Sequence, residues 1–197
     1  MIENIVSSPD RDSMNDEVLV SLISEGDKKA FAVIARRHGG RFRALAFRFV
    51  GDMALAEDLV QEAFVKLWTH ADRFNSSKAK FTTWFHRIIV NRCLDEKRKR
   101  TLDALPDGFD QPDDTPRADV QIGNNAAAAR LNVVLKKLSE RQRIAVTLSY
   151  LEELSNQEAA EVMGLKLKAF ESLLLRSRAN MRKMLIADKT DLLSAFS

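Results

Sequence analysis

A break in the middle of this chain constrains it most. Thr101–Asn125 holds three of the four prolines (Pro106, Pro112, Pro116), two glycines, six Asp and a single Arg, with no apolar periodicity. Proline removes a backbone donor, and clustered like charges repel, so the stretch reads as an extended linker rather than a packed element. On both sides of it apolar residues recur at spacings of three and four, and glycine is scarce, with seven in 197 residues. That spacing is the mark of helices. The expected fold class is all-α: two small helical domains, 16–100 and 126–187, joined by an extended acidic linker over 101–125. An N-terminal extension, 1–15, and a C-terminal tail, 188–197, complete the division, and no role is assigned to the tail.

Each domain needs its own core, and with 45% hydrophobic and 30% charged residues the chain lies in the soluble globular range. No apolar run approaches the roughly 18 residues that span a bilayer, and Met1 to Asn15 lacks the basic start and apolar centre of a signal peptide. A cytoplasmic protein with no membrane insertion is expected. The single cysteine, Cys93, permits neither an internal disulfide nor a zinc cluster. His38, His70 and His86 have no close acidic or cysteine companions along the chain, so neither metal nor cofactor is expected. A Gly-rich phosphate loop and a nucleophile paired with a base are also absent from the pattern, which argues against an enzyme. Cys93 could be a redox sensor, but its place among Ile89, Val90 and Leu94 favours packing.

The net charge is only +3, yet it is segregated. Arg87 to Arg100 has six Lys or Arg against two acids, and Lys166 to Lys183 has six against one. Composition alone does not announce a nucleic-acid binder; the distribution of the charge is more telling than its sum.

In the first block, helix is expected over Asp16 to Ile23. Asp27 is placed to cap a second helix through Arg36 and beyond, with Val33 and Ile34 inward. Asp52 is placed to cap a third, where Leu55, Leu59 and Ala63, joined by Val60, Phe64 and Leu67, form an apolar stripe. Across from that stripe Glu57, Asp58, Gln61 and Glu62 make an acidic face, either a solvated surface or a docking site. A fourth helix is expected from about Phe81 to Lys99, with Phe81, Phe85, Ile88 and Ile89 inward and Thr83, Arg87, Asn91 and Asp95 along another side. Ahead of it, Phe74, Asn75, Ser76, Ser77, Lys78 and Lys80 put hydrogen-bonding and cationic groups beside aromatic ones. Single-stranded nucleic acid is held by that combination, through stacking on rings and neutralised phosphates. Trp68 and Trp84 could equally be core.

The second block is punctuated by two capping boxes, Ser139 with Gln142 and Ser155 with Glu158. Leu131, Val134, Leu135 and Leu138 form one stripe; Ile144, Leu148 and Leu151 form the next. A short helix from Ser155 to Met163, Gly164, and a longer helix from about Lys168 to Leu185 then have helix-turn-helix spacing. Small Ala160 allows a close crossing, and Phe170 and Leu174 are placed to seal the pair. The second helix carries Arg176, Arg178, Arg182 and Lys183, with Lys166 and Lys168 leading into it. In a major groove such a helix reads bases with Ser172 or Arg176 and holds phosphates with its flanking cations.

The run AEDLVQEAFVKLW (Ala56 to Trp68), with WFHRIIVNRCLDEKR (Trp84 to Arg98), resembles the second conserved region of extracytoplasmic-function sigma factors. LSNQEAAEVMGLKLKAFESLLLRSR (Leu154 to Arg178) resembles their carboxy-terminal region 4, in the family's order, so the likeness covers Asp16 to Leu185. It implies a bacterial transcription initiation factor with a region 2 helical bundle and a region 4 helix-turn-helix. By resemblance, Glu57, Asp58, Gln61 and Glu62 would dock on the clamp of the largest subunit of core RNA polymerase. Asn75, Ser76, Ser77 and Lys78 would surround a flipped base of the opened minus 10 strand, with Phe74, Lys80, Trp84, Arg87, Asn91 and Arg92 around them. Lys166, Lys168, Glu171, Ser172, Leu175, Arg176 and Arg178 would meet the minus 35 duplex. An anti-sigma factor and a stress-response role are further implications. Lys168, Ala169 and Glu171 depart from the family's usual start of this helix, which leaves the promoter sequence open.

A flexible linker of this length spans about 25 to 30 Å, whereas promoter elements two helical turns apart lie roughly 70 Å from each other. Stretched at about 3.3 Å per residue the same segment reaches ~80 Å. The resemblance therefore implies that polymerase holds the linker nearly straight. The competing reading is a dimeric helix-turn-helix regulator, which leaves the acidic face and the Asn75 loop unused.

Overall fold

The computed structural model describes residues 10–103, 131 and 133–194, and among them it is helical with no strand. Side chains are described for 10–100, 131 and 133–186. After a 3-10 turn at Arg11–Ser13, α1 (Asp16–Ser24) starts where the Asn15 side chain accepts from the Val18 amide. Asp27 accepts from the amides of Lys29 and Ala30 and so begins α2 (Lys28–Val50). That helix ends at Gly51, whose φ of 71° lets its N–H return to the Phe47 carbonyl. Asp52 caps α3 (Met53–His70) through the Leu55 amide, and a 3-10 turn at Ala71–Arg73 leads to the loop before α4 (Phe81–Asp103).

The α4 start has a partner from a distant part of the chain. Glu17, on α1, accepts from the Phe81 amide at 3.1 Å, supplying the anion that a helix N-terminus favours. Helices α1 to α4 bury Leu19, Ile23, Ile34, Phe42, Leu45, Leu67, Phe81, Phe85 and Ile89 almost completely. Burying such a side chain contributes roughly 1.5–3 kcal/mol.

Past the acidic segment, residues 133–136 are helical, and α5 (Glu140–Val146) opens at the Ser139–Gln142 capping box. It runs into a π turn over Thr147–Leu151, after which α6 (Asn156–Val162) begins at the Ser155–Glu158 box. Gly164, at φ 62°, makes the turn into α7 (Leu167–Ser194), where the Leu165 amide returns to the Ala160 carbonyl at 2.9 Å. Phe170 and Leu174 close this helix pair from beneath.

The two blocks pack on each other. α6 lies against α4, and buried side chains form one continuous cluster through both blocks. This changes the reading of α4. Thr83 does not share an exposed side with Arg87 and Asn91: it is buried, as are His86, Val90 and Cys93, on a second stripe spaced by three and four. α4 meets α2 and α3 as well as α6, so two of its faces are covered. Two boundaries also shift. α4 continues through 101–103, the first residues of the expected linker, and the remainder, 104–125, lies outside the described residues. α7 continues through 188–194 of the expected tail, since nothing before Ser194 breaks the helix. Of the expected extension 1–15, residues 1–9 lie outside the described residues.

Candidate nucleic-acid and polymerase interface

Three exposed surfaces carry the candidate residues. On α3, packing of Ala56, Leu59, Val60, Ala63, Phe64 and Leu67 against the core turns Glu57, Asp58, Gln61 and Glu62 outward, and all four are exposed. Glu62 is paired across to Arg92 on α4. Arg92 thus leaves the Arg87–Asn91 side and borders the acidic face instead.

The second surface is the loop between α3 and α4. Asn75 Oδ1 accepts from the Ser77 amide at 3.0 Å and from the Ser77 hydroxyl at 2.6 Å, and the Lys78 amide donates to the Asn75 carbonyl at 3.0 Å. This Asx turn leaves Asn75, Ser76, Ser77 and Lys78 exposed at its rim. Phe74 and Trp84 are half-buried, with ring centroids 5.5 Å apart, and the Phe74 ring meets Phe81 edge-on. Both tryptophans therefore contribute to packing, Trp68 against Phe31 and Trp84 against Phe74. Arg87 and Asn91 stand exposed one turn apart on α4. Lys80 reaches the other way, 3.1 Å from Glu158 at the start of α6.

The third surface is the outer side of α7 and the turn before it. Lys166, Lys168, Glu171, Ser172, Leu175, Arg176 and Arg178 are all exposed, because Phe170, Leu174 and Ser177 occupy the inner side. The Ser172 hydroxyl donates to the Lys168 carbonyl at 2.9 Å and Arg176 Nε to the Ser172 carbonyl at 3.2 Å, so both side chains lie along their own helix. Leu175, 67% exposed, is the most open large apolar side chain in the described structure.

Two histidines have acidic companions that linear spacing hides. His38 Nε2 lies 2.7 Å from Asp16, and His86 Nε2 lies 3.3 Å from Glu152. Folding brings together partners 22 and 66 residues apart. Glu152 is the larger omission from sequence reasoning. It is 2% exposed, yet Arg41 Nε donates to its Oε2 at 2.8 Å, Arg41 Nη2 to its carbonyl at 2.7 Å and Arg48 Nη1 to its Oε1 at 3.2 Å. Burial alone would raise the carboxyl pKa, but hydrogen bonds from His86 and Arg41 outweigh it and hold the group below its ordinary range. No local spacing signals a carboxylate whose partners all lie more than 60 residues away along the chain.

Among the described residues no group of His, Cys, Asp and Glu is placed to hold a metal ion, and no helix is long and apolar enough to cross a membrane. The three surfaces suit docking and polymer binding.

Comparison with known proteins defines the class. Residues 34–102 match Sigma-70 region 2, and residues 128–181 match Sigma-70 region 4. The chain is similar to the ECF RNA polymerase sigma factor SigW of Bacillus subtilis, 27% identical over 84% of this chain and 94% of that one. It is also 33% identical, over 77% of its length, to the ECF RNA polymerase sigma factor SigE of Mycolicibacterium smegmatis, of which it spans 60%. Among solved structures it is similar to the sigma factor RpoE of Bartonella quintana in complex with the anti-sigma factor NepR, with a TM-score of 0.66, 26% identity, and coverage of 81% of this chain and 99% of that one. The chain belongs to the extracytoplasmic-function sigma factors. It is a non-enzymatic transcription initiation factor of two conserved regions, all-α in architecture.

Proposed function

We propose that this chain binds core RNA polymerase and directs it to promoters, through three surfaces with separate tasks. The acidic side of α3, at Glu57, Asp58, Gln61 and Glu62, docks on the clamp of the largest subunit. The Asx-turn loop, at Phe74, Asn75, Ser76, Ser77 and Lys78, with Lys80, Trp84, Arg87 and Asn91, captures unstacked bases of the minus 10 non-template strand, while Arg92 sits with Glu62 at the border of the acidic face. The binding energy of those bases offsets the lost pairing. The outer side of α7, at Lys166, Lys168, Glu171, Ser172, Leu175, Arg176 and Arg178, reads the minus 35 duplex. The first domain closes with α4 at Asp103, the second spans 126–187 with α7 running on to Ser194, and the acidic remainder, 104–125, threads a basic channel of the polymerase. The observation that carries this reading is the pairing, on one chain, of an exposed acidic helix face inside the region 2 match with an exposed cationic helix face inside the region 4 match.

Control by an anti-sigma factor completes the proposal, supported by the relative from Bartonella quintana in complex with NepR. The site of action is the cytoplasm, where polymerase works. The test is retention on immobilised core polymerase, followed by mapping of transcripts initiated on purified genomic DNA. Core should retain the chain, and the mapped starts should share two upstream sequence elements. The double reversal Glu57→Lys/Asp58→Lys should abolish retention while leaving the helical content intact. Absence of retention for the unaltered chain, with duplex binding preserved, would favour a stand-alone regulator.

A further inference from the structure

The cluster around Glu152 lies outside all three surfaces, and it joins the two halves of the molecule. Arg41 and Arg48 lie on α2, two helical turns apart, and His86 on α4. His86 Nδ1 faces the Thr82 carbonyl at 2.6 Å and must donate there, because a carbonyl only accepts, which fixes the ring with Nε2 towards Glu152. Together the three side chains form a socket on region 2 whose occupant comes from region 4.

The backbone that delivers Glu152 is irregular on both sides. Before it, the π turn over Thr147–Leu151 places the Glu152 amide on the Thr147 carbonyl at 3.0 Å. After it, Glu153 has φ 56°, the one positive φ at a non-glycine residue in the described structure. π turns and left-handed non-glycine residues both cost free energy and persist where surrounding contacts hold them. Thr147 Oγ1 and Ser149 Oγ in the same turn, and Thr83 Oγ1 on α4, are buried without a hydrogen-bond partner.

Closure also has a consequence for DNA. Lys80 pairs with Glu158, and Lys97 lies 3.4 Å from Glu140, so two further ion pairs cross the joint, one from a loop residue assigned to the minus 10 strand. Since α6 rests on α4 and α7 follows only four residues after α6, the two DNA-facing surfaces cannot stand roughly 70 Å apart in this arrangement. The closed chain is therefore unable to engage both promoter elements at once.

We infer that Arg41, Arg48 and His86 form a carboxylate socket that holds Glu152 of the same chain and keeps the free factor closed and unable to span a promoter until core polymerase draws the modules apart. This rests on the sigma-factor reading for its consequence, though not for the clasp itself.

Zero-length carbodiimide coupling of the free full-length chain, mapped by mass spectrometry, tests the clasp directly, since Lys80–Glu158 and Lys97–Glu140 are amine–carboxylate pairs across the joint. Both links are expected in the unaltered protein. In Glu152→Gln they should fall about tenfold, because Arg41 and Arg48 lose the buried carboxylate charge that holds them. Should Glu152→Gln fail to fold, Arg41→Ala/Arg48→Ala empties the socket from the more exposed side and should give the same loss. Saturation of the unaltered chain with core polymerase should also suppress both links, and at limiting core the folded variants should initiate several-fold more transcripts from the same genomic starts. Links that are absent from the free unaltered chain, undiminished in folded variants, or undiminished on core would overturn the inference, as would open variants that initiate no better. Failure of the unaltered chain to bind core would count against the sigma reading alone, because the coupling in free protein still reports on the clasp.

Discussion

At the scale of single residues, charge and burial set the behaviour of a few groups. Glu158 accepts from the Ser155 hydroxyl at 2.7 Å and amide at 3.0 Å, and the Ser155 hydroxyl chiefly holds its pKa below the ordinary carboxylate value, with the Ser155 amide and Lys80 adding to it against the opposing effect of burial. A lowered pKa stabilises the fold fully above about pH 4.5, and the contribution is lost as the pH falls through the lower folded value. Acidification should therefore weaken the unaltered protein more than Glu158→Gln in thermal melts followed by circular dichroism. Ser155→Ala removes the other half of the box and should cost about 1 kcal/mol in urea denaturation. Cys93 shows the opposite influence: burial pushes its thiol up to about 12, against the pull of Arg92 and Lys97. Since the thiolate is the nucleophile, Cys93 should resist a thiol reagent at pH 8 in native protein and react promptly in denaturant. Rapid native labelling would revive a redox role.

Elements obey packing more than propensity. α4 begins with Phe81 and Phe85 stacked at 5.3 Å, and Phe85 meets Phe42 at 4.8 Å and Phe64 at 5.0 Å. Phe85 is thus the point where α2, α3 and α4 meet, and Phe85→Ala should destabilise the first block by roughly 3–5 kcal/mol in chemical denaturation. Gly164 shows the opposite case. A Cβ there meets nothing within 4 Å, so Gly164→Ala should cost only the left-handed backbone, about 1–2 kcal/mol, measurable by the same method. The apolar stripes of α3 and the two capping boxes were legible because spacing along one helix determines which side chains share a face. The burial of Thr83 was not, since a helix covered on two sides gives no single stripe to read. The start of α4 was equally hidden, because its cap, Glu17, comes from another helix.

For the whole molecule, the proposed function turns charge separation along the chain into two DNA-facing surfaces that would act together only in a larger assembly. On that reading, affinity of the polymerase complex for promoter DNA depends on salt through the phosphates it neutralises. Arg178→Ala should lower the salt dependence of duplex binding by about one counterion if it meets a phosphate, whereas Arg176→Ala should relax base preference and cost about 1–3 kcal/mol. Titrations at several salt concentrations, against matched and altered minus 35 sequences, would distinguish the two.

Periodicity, capping residues and the proline-rich acidic segment were enough to specify two helical blocks and the faces they expose, because such features depend on neighbours three or four positions away. Family membership was legible for the same reason, in continuous runs on single helices. The meeting of Arg41, Arg48, His86 and Glu152 was decided only in three dimensions: its members come from separate helices and a strained turn, and each looks like an ordinary surface charge along the chain. Region 4 lies against region 2 through that long-range contact together with the packing of α6 on α4, and local spacing carries no trace of either.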